Sequence, residues 1–255
     1  MSASTPRLGF WAAILSVLFA ACFSLVALAA NFTMLVPALW VNPLSFAPSL
    51  LLAWSFLVLM ACVLDAAAPE HRVWAVLALC FAVLYATINS IVYFVQLVVV
   101  TPLVFQGNAE LAGVLAFGPR SFMLSLNGLA YGLMSASAFL AAFAFPGREQ
   151  RLVRRALWAH GAMGPIVIAA SFWPRMVYVG ALWIGTFPAM ALALAGVFQR
   201  REAAAVETAL LRRLGGCAGR QRQHTPVNER RQSYVRPRAD AQRKHGPDWV
   251  QRRGP

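Results

Sequence analysis

The chain has 255 residues, of which 60% are hydrophobic and 12% are charged, and its formal net charge is +13. Ordinary soluble domains contain roughly 45–50% apolar and about 25% charged residues, so this composition argues against a water-soluble globular domain. The charge is also unevenly divided, because residues 1–199 carry a net +4 and residues 200–255 carry a net +9.

Six long apolar segments follow one another along the first 199 residues. A bilayer core of about 30 Å requires close to 20 apolar helical residues, because no water is present there to bond to an open backbone. The segments therefore predict an all-α fold, a polytopic transmembrane helical bundle with six transmembrane helices in a domain of residues 1–199. The predicted spans are residues 8–30, 49–65, 73–100, 121–145, 156–173 and 176–198.

Basic residues flank the predicted spans mainly on one side. Arg7, Arg72, four arginines in residues 148–155 and fourteen Arg or Lys after residue 199 lie on the side of the two termini. The opposite side has only Arg120 and Arg175. Because basic residues are retained in the cytoplasm during insertion, both termini are predicted to be cytoplasmic.

The first predicted span has an alternative interpretation as a signal peptide, with Ala27-Leu28-Ala29 as its cleavage site. Its apolar stretch is longer than the roughly 7–15 residues of a cleavable core, which favours a retained helix. Cleavage would leave five spans. Residues 31–48, with three prolines, and residues 101–120 are predicted to be external loops.

Polar side chains form a stripe on the third and fourth predicted spans. At 100° per residue, Asn89, Tyr93 and Gln96 fall within about 60° of one another. Asn127 and Tyr131 share one face of the fourth span. These five residues are candidates for binding a small polar ligand or for lining a permeation path. Hydrogen bonding between helices is the alternative for the same residues.

His160 is a sixth candidate ligand-binding residue, near the start of the fifth predicted span. Gly161, Gly164 and Pro165 follow it, and they predict a kink that opens a small space. A histidine near the membrane interface also commonly serves as a hydrogen-bonded or snorkelling side chain, so that alternative stays open.

Motifs for catalysis are missing from the sequence, which contains no HExxH, GxSxG, Walker lysine motif or GxGxxG. We therefore expect no cofactor, and an intramembrane enzyme is the least supported of the classes that stay open. No metal site is predicted, because Cys217, His224 and His245 are irregularly spaced. Cys22, Cys62 and Cys80 lie in apolar runs and are interpreted as small buried hydrophobic residues.

The C-terminal part is predicted to divide in two. Residues 200–216 have helical apolar spacing and are expected to extend the sixth span into the cytoplasm. Residues 217–255 are rich in Arg, Gln, Gly and Pro and predict a disordered basic tail. Such a tail can bind anionic lipid headgroups, or serve only as a solvated topology anchor; no specific nucleic-acid partner is predicted.

Residues 85–102, YATINSIVYFVQLVVVTP, followed by residues 127–134, NGLAYGLM, resemble a family of uncharacterised bacterial multi-pass membrane proteins. The resemblance implies a helical bundle in the bacterial plasma (inner) membrane and brings no assigned activity. We expect an integral membrane protein that binds, transports or senses a small molecule through the polar stripe. The alternative is a membrane-anchored protein whose basic tail binds anionic lipid or a cytoplasmic partner.

Overall fold

The computed structural model describes residues 4–30, 35–118, 121–170 and 172–222, and no β-strand occurs among them. The α-helices are α1 Thr5–Leu28, α2 Ala38–Ala66, α3 Arg72–Val95, α4 Thr101–Phe105, α5 Ala109–Ala112, α6 Phe122–Ala141, α7 Arg151–Gly161, α8 Met163–Ala170, α9 Val177–Gly180 and α10 Trp183–Arg222. Within these described ranges, five segments are long and apolar enough to cross a membrane: Thr5–Leu28, Leu39–Ala66, Pro69–Phe105, Phe122–Ala144 and Tyr178–Ala209. The predicted all-helical class is confirmed.

Helix α1 illustrates how the bundle packs. Its buried side is made mainly of small residues, among them Ala13, Ser16 and Ala20, whereas Leu18 and Leu25 are exposed. The Ser16 hydroxyl lies 2.9 Å from the Ser55 hydroxyl of α2. Small residues between helices and large apolar residues on the outer surface are the arrangement expected when lipid surrounds a helical bundle.

Helix α2 corrects the predicted loop at residues 31–48. It begins at Ala38 and continues through Pro43 and Pro48 to Ala66, so the prediction of a non-helical stretch is wrong from residue 38. Proline is tolerated inside membrane helices because neighbouring groups bond to the backbone that it leaves unpaired. Residues 31–34 of the predicted loop lie outside the described part of the chain.

The third predicted span is longer than its apolar run. Helix α3 passes directly into a π-helical turn, Gln96–Val100, and then into α4. The predicted loop at residues 101–120 is therefore helical up to Phe105, and it contains the short helix α5. Leu115 and Phe117 of this loop pack against the buried core of the bundle.

The fifth predicted span, residues 156–173, is divided between two helices. Helix α7 has 11 residues and α8 has 8, with a break at Ala162, and neither is long enough to cross a membrane alone. Pro165 lacks the N–H that would bond to the Gly161 carbonyl in a continuous helix, and this explains the break.

Helix α10 continues through residues 200–216 and ends at Arg222. Residues 217–222 are helical, so the prediction of disorder from Cys217 starts too early. The remainder of the predicted tail, residues 223–255, lies outside the described residues.

Candidate functional site

Three of the predicted site residues are joined by hydrogen bonds across the interface between α3 and α6. The Tyr93 hydroxyl donates to Oδ1 of Asn127 at 2.8 Å and lies 3.0 Å from the Tyr131 hydroxyl. A tyrosine has one hydroxyl proton, so when Tyr93 gives it to Asn127, Tyr131 is the donor in the second bond. The three side chains form a continuous hydrogen-bonded chain.

Helix α2 also packs against these hydrogen-bonded side chains, in addition to α3 and α6. The Phe46 ring stacks on the Tyr93 ring, with centroids 5.6 Å apart and an interplanar angle of 23°. Phe46 also contacts Phe117 of the loop after α5, at a centroid distance of 4.9 Å. The sequence interpretation missed Phe46 because it assigned residues 31–48 to a loop.

Seven further residues carry buried polar atoms that have no hydrogen-bond partner among the described residues. The unpaired atoms are the hydroxyls of Tyr85 and Ser135, both amide atoms of Asn89, Oε1 of Gln96, Nε of Arg154, Nε2 of His160 and Nε1 of Trp183. Asn89, Ser135 and His160 have no exposed surface at all. Leaving a buried donor or acceptor unpaired costs about 1–3 kcal/mol, so each of these atoms requires an explanation.

Aromatic contacts connect Tyr85, Trp183 and His160 to the three hydrogen-bonded side chains. The Tyr131 ring is 5.8 Å from the Tyr85 ring and 5.2 Å from the Trp183 ring. The Trp183 ring is in turn 6.4 Å from the His160 ring. Asn89 lies one helical turn from both Tyr85 and Tyr93. We call the following eight residues the polar core: Tyr85, Asn89, Tyr93, Asn127, Tyr131, Ser135, His160 and Trp183.

His160 is held at the end of α7 by contacts with α10. Its Nδ1 lies 3.3 Å from the Thr186 hydroxyl, and its ring is 5.4 Å from the Phe187 ring. Nε2 is thereby left as the free nitrogen. The sequence interpretation found His160 but missed Trp183 and Thr186, since nothing in the sequence distinguishes a tryptophan inside a bundle from one at the lipid interface.

Gln96 is the predicted site residue that bonds to the loop after α5, while its Oε1 has no hydrogen-bond partner among the described residues. It is fully buried at the start of the π-helical turn, and its Nε2 donates to the Leu115 carbonyl. That bond attaches the loop after α5 to the end of α3. Gln96 therefore holds the loop, and the structure gives it no hydrogen bond to the polar core.

The polar core lacks formal charge. None of the buried side chains among the described residues is an Asp, Glu, Lys or Arg. In that part of the chain, no group of three or more His, Cys, Asp or Glu is positioned to hold a metal ion. The unpaired groups are hydroxyls, an amide, an imidazole nitrogen and an indole N–H, which together offer donors and acceptors to a neutral molecule.

The fold and the polar core define the class: an all-helical protein with several helices long and apolar enough to cross a membrane, and with polar side chains buried between them. No protein-family model matches the chain. Comparisons with curated proteins and with solved structures likewise find no match.

Proposed function

We propose that this protein binds a small, uncharged polar molecule in the polar core, inside the membrane. The observation that carries the proposal is the set of unpaired buried atoms on Tyr85, Asn89, Ser135, His160 and Trp183, contributed by α3, α6, α7 and α10. Packing alone explains Tyr93, Asn127 and Tyr131, because they bond to one another. Packing between helices does not explain the buried polar atoms that have no hydrogen-bond partner among the described residues.

The neutrality of the surroundings defines the class of ligand. Charged groups inside a membrane are expensive and are usually paired. A charged ligand would need an opposite charge nearby, and the described residues bury no Asp, Glu, Lys or Arg. A neutral molecule with hydroxyl, amide or ring N–H groups could instead form hydrogen bonds with the uncharged donors and acceptors of the polar core.

The break between α7 and α8 supports transport over sensing as the consequence of binding. In many transporters the substrate site is formed beside a discontinuous membrane helix, where the two halves can move. His160 lies at the end of α7, one residue before Gly161 and the break at Ala162. A ligand bonded to Nε2 of His160 would therefore be sensitive to any change at the break.

The proposed topology has six spans with both termini in the cytoplasm of a bacterium. In this scheme α7 and α8 together form the fifth span. Residues 151–170 would be about 30 Å long as one helix, which matches the hydrocarbon thickness. The arginines at residues 148–155 support a cytoplasmic start for this span.

Small molecules that copurify with the protein test the proposal. Wild type, Asn89→Leu and Asn108→Leu are purified in one detergent, extracted and compared by mass spectrometry. Asn108 is the matched control because it is an exposed asparagine outside the long helices. We expect one neutral compound to be enriched with wild type and Asn108→Leu and to be depleted with Asn89→Leu. The same compounds in all three samples would contradict the proposal.

A further inference from the structure

An apolar groove opens on the side of the bundle between α6 and the pair α7–α8, and Ser135 of the polar core packs against Gly164 of its wall. Its volume is about 970 Å³. The wall on α6 includes Gly132 and Ala136, and the wall on α8 includes Gly164 and Ala169. A Cβ on Gly132 would lie 2.6 Å from the Ile168 side chain, so glycine is what keeps the two helices this close.

One stripe of residues leads from a basic helix end into the groove. Arg151, Arg155, Trp158, Ala162 and Pro165 are all exposed. At 100° per residue Arg151, Arg155 and Trp158 fall within about 60° of one another on one face of α7. Ala162 at the break and Pro165 in α8 line the groove, so the arginines lie on the turns of α7 that precede it.

The two arginines at the head of the stripe are free to bind a ligand. Within the described part of the chain neither Arg151 nor Arg155 forms a salt bridge or hydrogen bond through its side chain. Arg154, by contrast, donates to the carbonyls of Phe145 and Pro146 and packs on the Trp158 ring at 5.5 Å. Residues 148–155 contain four arginines and one acid, Glu149.

We propose that this groove binds an anionic phospholipid, with the phosphate group at Arg151 and Arg155 and one acyl chain in the groove. The spacing fits this ligand, because Arg155 and Ala162 are seven residues apart, or about 10 Å along a helix. Trp158 lies between them, and tryptophan prefers the headgroup region of a bilayer. A neutral lipid would fill the groove equally well but would leave both guanidinium groups without a counter-charge.

Native mass spectrometry of the detergent-solubilised full chain tests the proposal with two lipids of identical acyl chains, phosphatidylglycerol and phosphatidylcholine. At about 1 kcal/mol for each basic residue, the two arginines should favour the anionic lipid by roughly thirtyfold. Arg151→Gln combined with Arg155→Gln should remove this preference. Arg72→Gln combined with Arg200→Gln is the matched control, since both arginines are exposed elsewhere, and it should retain the preference.

A second variant tests the groove itself. Ala162 is exposed and lines the groove, so Ala162→Phe should fill it without disturbing the core and should lower retention of both lipids. Three results would overturn the proposal: equal binding of the two lipids to wild type, equal loss of preference in the control double variant, or unchanged retention in Ala162→Phe. Size-exclusion chromatography establishes that each variant is folded and monodisperse before it is measured.

Discussion

The Tyr93 hydroxyl of α3 donates a hydrogen bond of 2.8 Å to Oδ1 of Asn127 on α6. The Asn89 amide, one turn earlier on α3, faces the Tyr85 hydroxyl but forms no hydrogen bond of normal geometry among the described residues. Both asparagines lie inside the same helical bundle, but only the amide of Asn127 has a hydrogen-bond partner within the described part of the protein. This contrast separates a side chain that holds helices together from one that is available to a ligand.

Asn127→Leu should lower the stability of the protein, whereas Asn89→Leu should not. Asn127→Leu removes the acceptor of the Tyr93 hydroxyl and should cost about 0.5–1.5 kcal/mol. Asn89→Leu removes two unpaired polar atoms and should leave the unfolding temperature unchanged or raise it. Thermal unfolding in detergent measures both. A loss of stability in Asn89→Leu as large as that in Asn127→Leu would mean that Asn89 has a partner within the protein.

His160→Phe should separate the role of the ring from that of its nitrogens. The His160 ring packs against the Phe187 ring at a centroid distance of 5.4 Å, so phenylalanine should preserve the aromatic packing. The contact with the Thr186 hydroxyl is lost, so we expect a loss of stability of about 0.5–1.5 kcal/mol, as for a single hydrogen bond. The variant should nevertheless lose the copurifying small molecule, because Nε2 is gone. Retention of that molecule at the wild-type level would exclude His160 from the site.

Gly161→Ala should be destabilising because α7 contacts α6 closely at this point. A Cβ there would lie 2.6 Å from Cβ and 2.9 Å from Cα of Phe139, and overpacking of this kind typically costs about 1–3 kcal/mol. Gly196→Ala in α10 is the matched control, since a Cβ there meets nothing within 4 Å, and it should be neutral or stabilising. Unfolding temperatures in detergent compare the two. Equal effects would mean that the close approach of α6 and α7 is wrong.

Cysteine labelling should decide whether α7 and α8 together cross the membrane. Gly147 and Arg175 flank the pair outside the long apolar segments, and both are exposed. Gly147→Cys and Arg175→Cys are placed in a chain whose four native cysteines are replaced by alanine. A membrane-impermeant maleimide added to intact cells should label only Arg175→Cys. If neither or both are labelled, the pair does not cross and the six-span topology fails.

Much of the helical framework is predictable from the sequence because hydrocarbon imposes a simple requirement, a long apolar run for each helix. The start of α2 was not predictable in this way. Its first turns contain Pro43 and Pro48, which end helices in water but are tolerated in membrane bundles. The break at Ala162 was suggested by Pro165, although its consequence, two short helices instead of one span, depends on the local geometry.

The polar core was partly predictable. Helical periodicity placed Asn89 and Tyr93 on one face of α3, and Asn127 and Tyr131 on one face of α6. Periodicity does not show which neighbouring element a helix face meets, and Gln96, predicted together with this site, bonds to the loop after α5. Trp183 was missed for the same reason, because its neighbours are set by the packing of α10 against α6 and α7.

The most direct test of the central claim is an experimental density map of the full chain in a lipid nanodisc, at a resolution that shows side chains. We predict density for a non-protein group within hydrogen-bond distance of the Asn89 amide and Nε2 of His160. Pairing of Asn89 and His160 with other protein groups, with no separate density between them, would contradict the account.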